Sequence, residues 1–493
     1  MKKILVANRG EIAIRVMRSA REMGIKTVAV YSEADRESLH VRYADEAVLI
    51  GPAASSQSYL VMDRILEVAK ETGADAIHPG YGFLSENATF ADKVVASGLI
   101  FIGPSGDSMR QMGSKLAAKA TAEKHNIPLV PGTAKAIESV EEGKRIAADV
   151  GFPLLIKASA GGGGKGMRIV HHADEFEEQM KLAVSEAISS FGDGAVFIER
   201  YVASPRHIEI QVLGDTHGNV VYLFERECSI QRRHQKVVEE APSSVLTPEI
   251  REAMGRCAVE VSIACKYVGA GTVEFLLDEH MNFYFLEMNT RLQVEHPVTE
   301  FITGLDLVKE QIKVARGENL SFTQDDLKIK GHAMEIRVCA EDPTNNFLPD
   351  IGRLQTYRIP QGPGVRVDDA YEEGMDIPIY YDPMIAKLIT YGKDREEAIQ
   401  RMIRAIDDYH ISGVKTTLEF CRFVMEHPAF TSGRFDTHFV KNHFSPEMLI
   451  KEDSEEMEIA AFLAVNLLQE KSFPVSSDQN SGAGSAWKNN RLR

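Results

Sequence analysis

Two stretches of the chain carry residues whose types and spacing suit phosphate and metal chemistry. Phe152-Pro153-Leu154-Leu155-Ile156-Lys157 has the form of a buried strand ending in a cation, and four glycines, Gly161–Gly164, follow three residues later. Successive glycines remove every Cβ, so backbone N–H groups can approach phosphate oxygens closely, and Lys157 adds a charge. No Gly-Lys-Ser/Thr opens a helix here, so this is not a Walker A loop. A flexible linker has a similar composition, but linkers seldom follow a buried strand directly. In the second stretch, Glu274–Leu277 and Phe283–Glu287 are short apolar runs joined by Asp278–Asn282, the pattern of an antiparallel hairpin. That pairing puts Glu274 opposite Glu287, with Asn289 on the same face as Glu287. Two carboxylates and an amide oxygen form an all-oxygen set suited to Mg²⁺ or Mn²⁺. If the backbone stays extended, Arg291, Gln293 and Glu295 continue that face, and Met288, Thr290, Leu292 and Val294 oppose it. Singly, such carboxylates are ordinary solvated groups; in a row they could hold a metal-bound nucleotide at one end and a small anion at the other.

The surrounding sequence must position these groups. With 493 residues, 44% of them hydrophobic, the chain exceeds one typical domain. Lys3–Ala7 and Thr27–Tyr31 are apolar runs flanking Glu11–Met23, which carries Ile12, Val16 and Met23 at helical spacing. This βαβ pattern predicts a parallel sheet, with further strands at Ala76–His78 and Ile100–Ile102. The first turn, Asn8-Arg9-Gly10-Glu11, lacks the GxGxxG of a dinucleotide fold. A helix is expected around Gly113–His125, and Pro128 and Pro131-Gly132 follow it as breaks. From Gly331 the pattern turns to short strands and many turns. Residues 451–470 have an acidic amphipathic character, and Ser476–Arg493, which holds the sole tryptophan Trp487, has a disordered composition.

The formal net charge of −16 disfavours nucleic acid as a partner, because phosphate backbones need a basic face. Five cysteines without a CxxC pair disfavour a disulfide framework or zinc site and fit a reducing compartment. Cys228, close in sequence to His234 and Lys236, is expected to be buried and inert, the alternative being a reactive thiol. No segment reaches the roughly 20 apolar residues of a membrane span, and MKKILVANRGE reads as a strand rather than a leader, so a cytoplasmic protein is expected.

The glycine loop with its lysine resembles the lid of the ATP-grasp superfamily, whose members activate a carboxylate as an acyl phosphate. EMNTRLQVEHPVTE (287–300), HPGYGFLSEN (78–87), SPRHIEIQV (204–212) and RECSIQRRHQKVVEE (226–240) narrow the likeness to the biotin carboxylases, over roughly residues 1–445. The resemblance implies a multidomain α/β and α+β fold. An N-terminal doubly wound, parallel-sheet (Rossmann-like) domain would span 1–113. The ATP-grasp domain would span 114–330 with a mobile glycine-rich lid at about 131–203. A mainly antiparallel β domain would span 331–446, and a tail 447–493.

The same likeness assigns roles. Lys115 and Lys157 would contact ATP phosphates, with Gly163 and Gly164 closing over them. Glu199, Arg200, Tyr201 and Val202 match the adenine-holding segment, Glu199 taking the exocyclic amine; Arg200 stands where the family usually has lysine. His207 and His234 match nucleotide contacts, and Leu276 would pack on the base. Glu274, Glu287 and Asn289 would hold Mg²⁺ (or Mn²⁺). Lys236, Arg291, Gln293 and the backbone of Val294 would bind bicarbonate, Glu295 would be its base, and Arg337 would stabilise the biotin enolate. For Arg337 the residues alone favour a surface salt bridge. Met180-Lys181-Leu182 sits in a helical acidic stretch and is not a biotinylation site. Biotin is therefore expected on a separate carrier protein, with a separate carboxyltransferase subunit, and the enzyme is expected to be a homodimer. The competing readings are an ATP-grasp ligase joining a carboxylate to an amine, and a nucleotide-binding regulator without turnover.

Overall fold

The structure is a computed structural model. It describes residues 1–133, 135–137, 139–159, 166–450 and 459–466, apart from the side chains of Lys115 and Leu116. Residues 1–449 form one unit and 450–493 another. In the second, 459–466 are helical; the rest of the expected acidic helix, and Trp487, lie outside the described residues.

The first strands are short and apolar, as suits a parallel sheet whose two faces are covered by helices. β1 (Lys3–Val6), β2 (Lys26–Ser32), β3 (Glu46–Gly51), β4 (Ala76–His78) and β5 (Ile100–Phe101) form one parallel sheet in the order 3-2-1-4-5. Ile4 and Val6 pack with Ile12, Val16 and Met17 of helix Gly10–Glu22 on one face. Leu5 and Ala7 pack with Ile65, Leu66 and Val68 of helix Met62–Glu71 on the other. The helix expected around Gly113–His125 is two helices, Gly106–Gly113 and Lys115–Lys124. Ser114 separates them with extended backbone (φ −90°, ψ 117°), and its hydroxyl accepts from the Ala117 N–H of the second.

β6 (Leu154–Ala158), β7 (Met167–Val170) and β8 (Val196–Arg200) form a small antiparallel sheet in the order 7-6-8, covered by helices Val140–Val150 and Phe176–Phe191. Pro153 precedes the strand rather than lying in it, since proline cannot donate to a ladder.

The main sheet has eight antiparallel strands. They are β9 (Arg206–Gly214), β10 (Val220–Arg232), β11 (Gln235–Ala241), β12 (Gly269–Leu277), β13 (Phe283–Asn289) and β14 (His332–Cys339), with two more near the C-terminus. Two small ribbons intervene: β15 (Glu341–Asp342) with β16 (Leu348–Pro349), and β17 (Thr356–Arg358) with β20 (His410–Ser412). β18 (Val365–Asp369) and β19 (Met384–Gly392) complete the order 13-12-9-10-11-14-19-18. The short strands expected after Gly331 are present, but the longer ones continue the central sheet, because β14 pairs with β11 from Val238↔Ile336 to Ala241↔Ala333.

Alternation decides which face of this sheet is dry. Ile208, Ile210 and Val212 of β9, Val273, Phe275 and Leu277 of β12, and Met288 of β13 pack with Met254, Ala258 and Val261 of helix Pro248–Ala264. His207, Glu209 and Gln211, then Glu274, and Glu287 and Asn289 therefore fall on the opposite face. Phe275 is fully buried, edge-on to Phe283 and Phe285 at centroid distances of 5.6 and 6.3 Å. Phe275→Ala is expected to cost about 3–5 kcal/mol of stability, read from the denaturant midpoint. A cost under about 1 kcal/mol would contradict this account of the core.

Candidate active site

The polar face of the main sheet opens into a cleft of about 1020 Å³ that also reaches β6–β8. The hairpin register is the expected one: Glu274 is the partner of Glu287, and Thr272 of Asn289. A bulge between Glu274 and Phe275 shifts the register beyond this pair.

The row expected to follow is not extended. β13 ends at Asn289, and Val294 and Glu295 form a turn ahead of helix His296–Thr303. Even so, Arg291, Gln293, Val294 and Glu295 all line the cleft. Leu292 is fully buried in the core, on the side that alternation assigns it, whereas Val294 departs from that alternation and lies on the cleft side with its neighbours.

Lys236 is at the centre. Its ammonium meets Glu209, Glu295 at 2.8 Å and Glu274 at 3.2 Å. Burial disfavours that charge, but Glu274 and Glu295 hold the proton on and raise the pKa. Glu295 is fully buried; its second oxygen accepts from Arg337 Nη2 at 2.9 Å. Burial would raise the Glu295 carboxyl, yet Lys236 and Arg337 hold it well below the usual range. Arg337 also donates to Glu239 at 2.7 Å, so it is a half-buried cleft cation and not a surface salt bridge. Glu274 accepts from Asn289 at 2.6 Å and Gln293 at 2.9 Å, and its other oxygen lies 3.1 Å from His207 Nε2. Against the penalty of burial, Lys236 and His207 hold this carboxyl well below its ordinary value. Arg291 donates to Glu86 at 2.9 Å and to Asn289 Oδ1 at 3.1 Å.

Arg226 lies beneath these groups, fully buried on β10. It donates to Gln293 (2.6 Å), Gln211 (2.7 Å), Thr272 (2.9 Å), Thr299 (3.0 Å) and Glu209 (3.2 Å). Its position in RECSIQRRHQKVVEE is apolar-flanked on neither side, so nothing local marks it as buried; β9 and β12 bring three of its acceptors, and Gln293, just before helix His296–Thr303, and Thr299, within it, bring the other two.

In the other half of the cleft, Lys157 lies 2.5 Å from Glu199. Glu199 is also bonded to Lys119, which helix Lys115–Lys124 directs there and which no spacing in the sequence marks. Burial would raise the Glu199 carboxyl; Lys157 and Lys119 lower it. Its carboxylate is thus engaged by two ammonium groups. Arg200, Tyr201, Val202 and Leu276 line the cleft with Leu155, Met167, Ile169 and Leu286. His234 and Arg233 form the two-residue turn of the β10–β11 hairpin, both in the left-handed region (φ 67° and 48°). Burial, with Lys157 and His207, lowers the His234 pKa, so the imidazole is neutral at pH 7. The Lys115 side chain and Gly163 and Gly164 lie outside the described residues.

A divalent cation suits this face. Glu274 is held ionised and Glu287 and Asn289 lie beside it on the cleft. Among the described residues His207, Glu209 and Glu274 also converge, sharing only Glu274 with that set. The all-oxygen set of Glu274, Glu287 and Asn289 suits a hard cation. Cys228 is fully buried, and burial, with Glu295 and Glu239, pushes its thiol pKa well up, so it is inert as expected.

A small three-stranded sheet facing an acidic, lysine-centred antiparallel sheet across a nucleotide-sized cleft is the arrangement of an ATP-grasp enzyme. Family models agree: residues 1–109 match the biotin carboxylase N-terminal domain, 114–323 the carbamoyl-phosphate synthase L chain ATP-binding domain, and 335–442 the biotin carboxylase C-terminal domain. The chain is 55% identical to a pyruvate carboxylase subunit of Methanothermobacter thermautotrophicus, over 92% of this chain and 94% of that one. It is 53% identical to biotin carboxylase 1 of Bacillus subtilis, over 90% and 99%. The biotin carboxylase domain dimer of Hydrogenobacter thermophilus 2-oxoglutarate carboxylase, solved with MgADP, ADP and bicarbonate, superposes with a TM-score of 0.87 at 48% identity, over 92% and 99%. The chain belongs to the biotin carboxylase family.

Glu335 behaves differently from Glu274 and Glu295. Glu335 is fully buried, and neither of its oxygens has a hydrogen-bond partner. Burial, with Glu239 and Glu295 nearby, raises its pKa well above 4.5 despite Lys387 and Arg337. A raised folded pKa gives stability that is full below the unfolded value and is lost as pH climbs through the folded one. Glu335→Gln cannot ionise, so its Tm relative to wild type is expected to rise from pH 5 to pH 9. A Tm difference independent of pH would refute the assignment.

Proposed function

We propose that the chain catalyses ATP- and bicarbonate-dependent carboxylation of biotin on a separate carrier protein, through carboxyphosphate. The single observation that carries this is the Lys236–Glu295–Arg337 cluster, in which one buried carboxylate lies 2.8 and 2.9 Å from two cations beside the metal-suited face. Cations alone would serve any anion. A carboxylate among them supplies a proton acceptor, which bicarbonate requires and a simple phosphate site does not.

Lys157, with Lys115, neutralises ATP phosphates, and the slot around Leu276 takes the base. Glu274, Glu287 and Asn289 would hold Mg²⁺ or Mn²⁺, which when bound neutralises phosphate charge. Lys236, Arg291, Gln293 and the Val294 N–H orient bicarbonate. While both cations grip Glu295 it is a weak base. An entering anion that shares Lys236 and Arg337 relaxes that grip and raises its proton affinity. Glu295 then takes the bicarbonate proton, and the freed oxygen attacks the γ-phosphorus in line as ADP leaves. Carboxyphosphate breaks to CO₂ and phosphate. Phosphate removes the biotin N1 proton, Arg337 stabilises the enolate oxygen, and the nitrogen adds to CO₂. Closure of the glycine lid would keep water from carboxyphosphate.

The proposed assembly is a homodimer working with a biotin carrier and a carboxyltransferase subunit. We place it in the cytoplasm, which suits five cysteines without a disulfide among them. Among the described residues no helix is long and apolar enough to cross a membrane.

Phosphate release from ATP is expected to require bicarbonate and to rise with free biotin. Release that ignores both would overturn the reading, and release driven by an amine instead would favour an amide-forming ligase. Lys236→Gln is expected to raise the bicarbonate KM roughly 10- to 100-fold while nucleotide affinity stays near wild type. Equal loss of both would contradict the division of the cleft.

A further inference from the structure

The turn Gln293-Val294-Glu295 presents three of the proposed bicarbonate contacts, and each residue of it is anchored by a different donor. The Gln293 carbonyl lies 2.8 Å from His296 Nδ1. The Glu295 carboxylate is held by Lys236 and Arg337. The Val294 carbonyl accepts from the Lys387 ammonium at 2.8 Å. Val294 precedes Glu295, the N-cap of helix His296–Thr303, so its carbonyl lies outside the helix ladder and needs an outside donor.

Lys387 is fully buried on β19. Its register partners are Arg337 on β14 and Asp368 on β18, so the three side chains share one face of the sheet. Two neighbouring cations on adjacent strands therefore reach successive residues of one turn: Arg337 takes the Glu295 side chain, Lys387 the Val294 carbonyl. The counter-charges are Glu11 at 3.4 Å, from the N-terminal sheet's first helix, and Asp368 at 3.9 Å; Asp368 is also clamped by Arg366 at 2.7 and 2.9 Å. A lysine in this setting costs several kcal/mol to desolvate unless it is paired. Charge balance alone could be met by an apolar pair, whereas the bond to a site carbonyl could not.

We propose that Lys387 is a positioning residue for bicarbonate: by fixing the Val294–Glu295 peptide it sets the direction of the Val294 backbone and the Glu295 carboxylate toward the anion. This rests on the bicarbonate reading above and extends it to a residue that touches neither substrate.

The test compares wild type, Lys387→Met, and the double variant Glu11→Gln/Lys387→Met, which removes the carboxylate that the single variant would leave buried beside a neutral chain. ATP affinity, bicarbonate KM and kcat are measured for each. The expected result is a bicarbonate KM raised roughly 10- to 100-fold in both variants, with ATP affinity near wild type. Recovery of wild-type bicarbonate KM in the double variant would show that Lys387 serves charge balance only and would overturn the proposal. So would an unchanged KM in Lys387→Met, or loss of ATP binding in both variants, which would assign Lys387 to the fold. A wild-type enzyme without bicarbonate-dependent phosphate release would instead remove the functional reading itself, and this proposal with it.

Discussion

An ammonium group buried among carboxylates governs this molecule. Lys236 cannot be charged in the interior unless Glu209, Glu274 and Glu295 are ionised around it, and they cannot be ionised there without Lys236, Arg226 and Arg337. Removing one member strands the others at a cost of roughly 3–5 kcal/mol, far above what an exposed pair contributes. The rest of the fold can be read as the apparatus that brings the members of this cluster together. In the proposed function the cluster would also account for an acidic site that takes a small anion, the carboxylates holding the cations for which the anion would compete.

The apparatus is one sheet. β9, β10, β11, β12 and β14 each give the cluster at least one side chain, and other residues of the same sheet turn into the cores, β9 and β12 against helix Pro248–Ala264 and β11 and β14 against helix Arg395–Asp407. The two-residue repeat of the strands is thus used twice, once for stability and once for chemistry. The turn at Val294-Glu295 is the exception, and it is the part of the site most dependent on side-chain anchors: His296, Arg337, Lys236 and Lys387 replace the ladder that a strand would have provided.

Local pattern was enough to read much of this from the residues. The parallel N-terminal sheet follows from apolar runs alternating with helical spacing, and the Glu274–Glu287 register follows from two apolar runs and a five-residue connection. The bulge after Glu274 left that pair intact. The straight row from Glu287 to Glu295 was not legible correctly: β13 ends at Asn289 and a turn at Val294-Glu295 leads into a helix, which moves Val294 onto the cleft although Leu292 stays on its expected side. Lys119, Glu86, Arg226 and Lys387 were not legible at all. Nothing in their own segments distinguishes them, and each gains its partners through long-range pairing: 80 residues separate Lys119 from Glu199, and 93 separate Lys387 from Val294. The roles taken from family likeness for His207, His234 and Arg337 reached further than spacing, and the structure puts all three on the cleft.

The seam between β11 and β14 has one more consequence. It joins the two sides of residue 331 by a full antiparallel ladder, so a polypeptide ending before β14 would present β11 as a bare sheet edge. Val237 and Val238, which pack with Met334, Ile336 and Leu388, would lose their cover along with it. Unsatisfied N–H and C=O groups beside exposed valines recruit strands from other molecules. The C-terminal third is thus a guard against self-association as well as the source of Arg337, and during synthesis the growing chain must wait for β14 before its central sheet is safe.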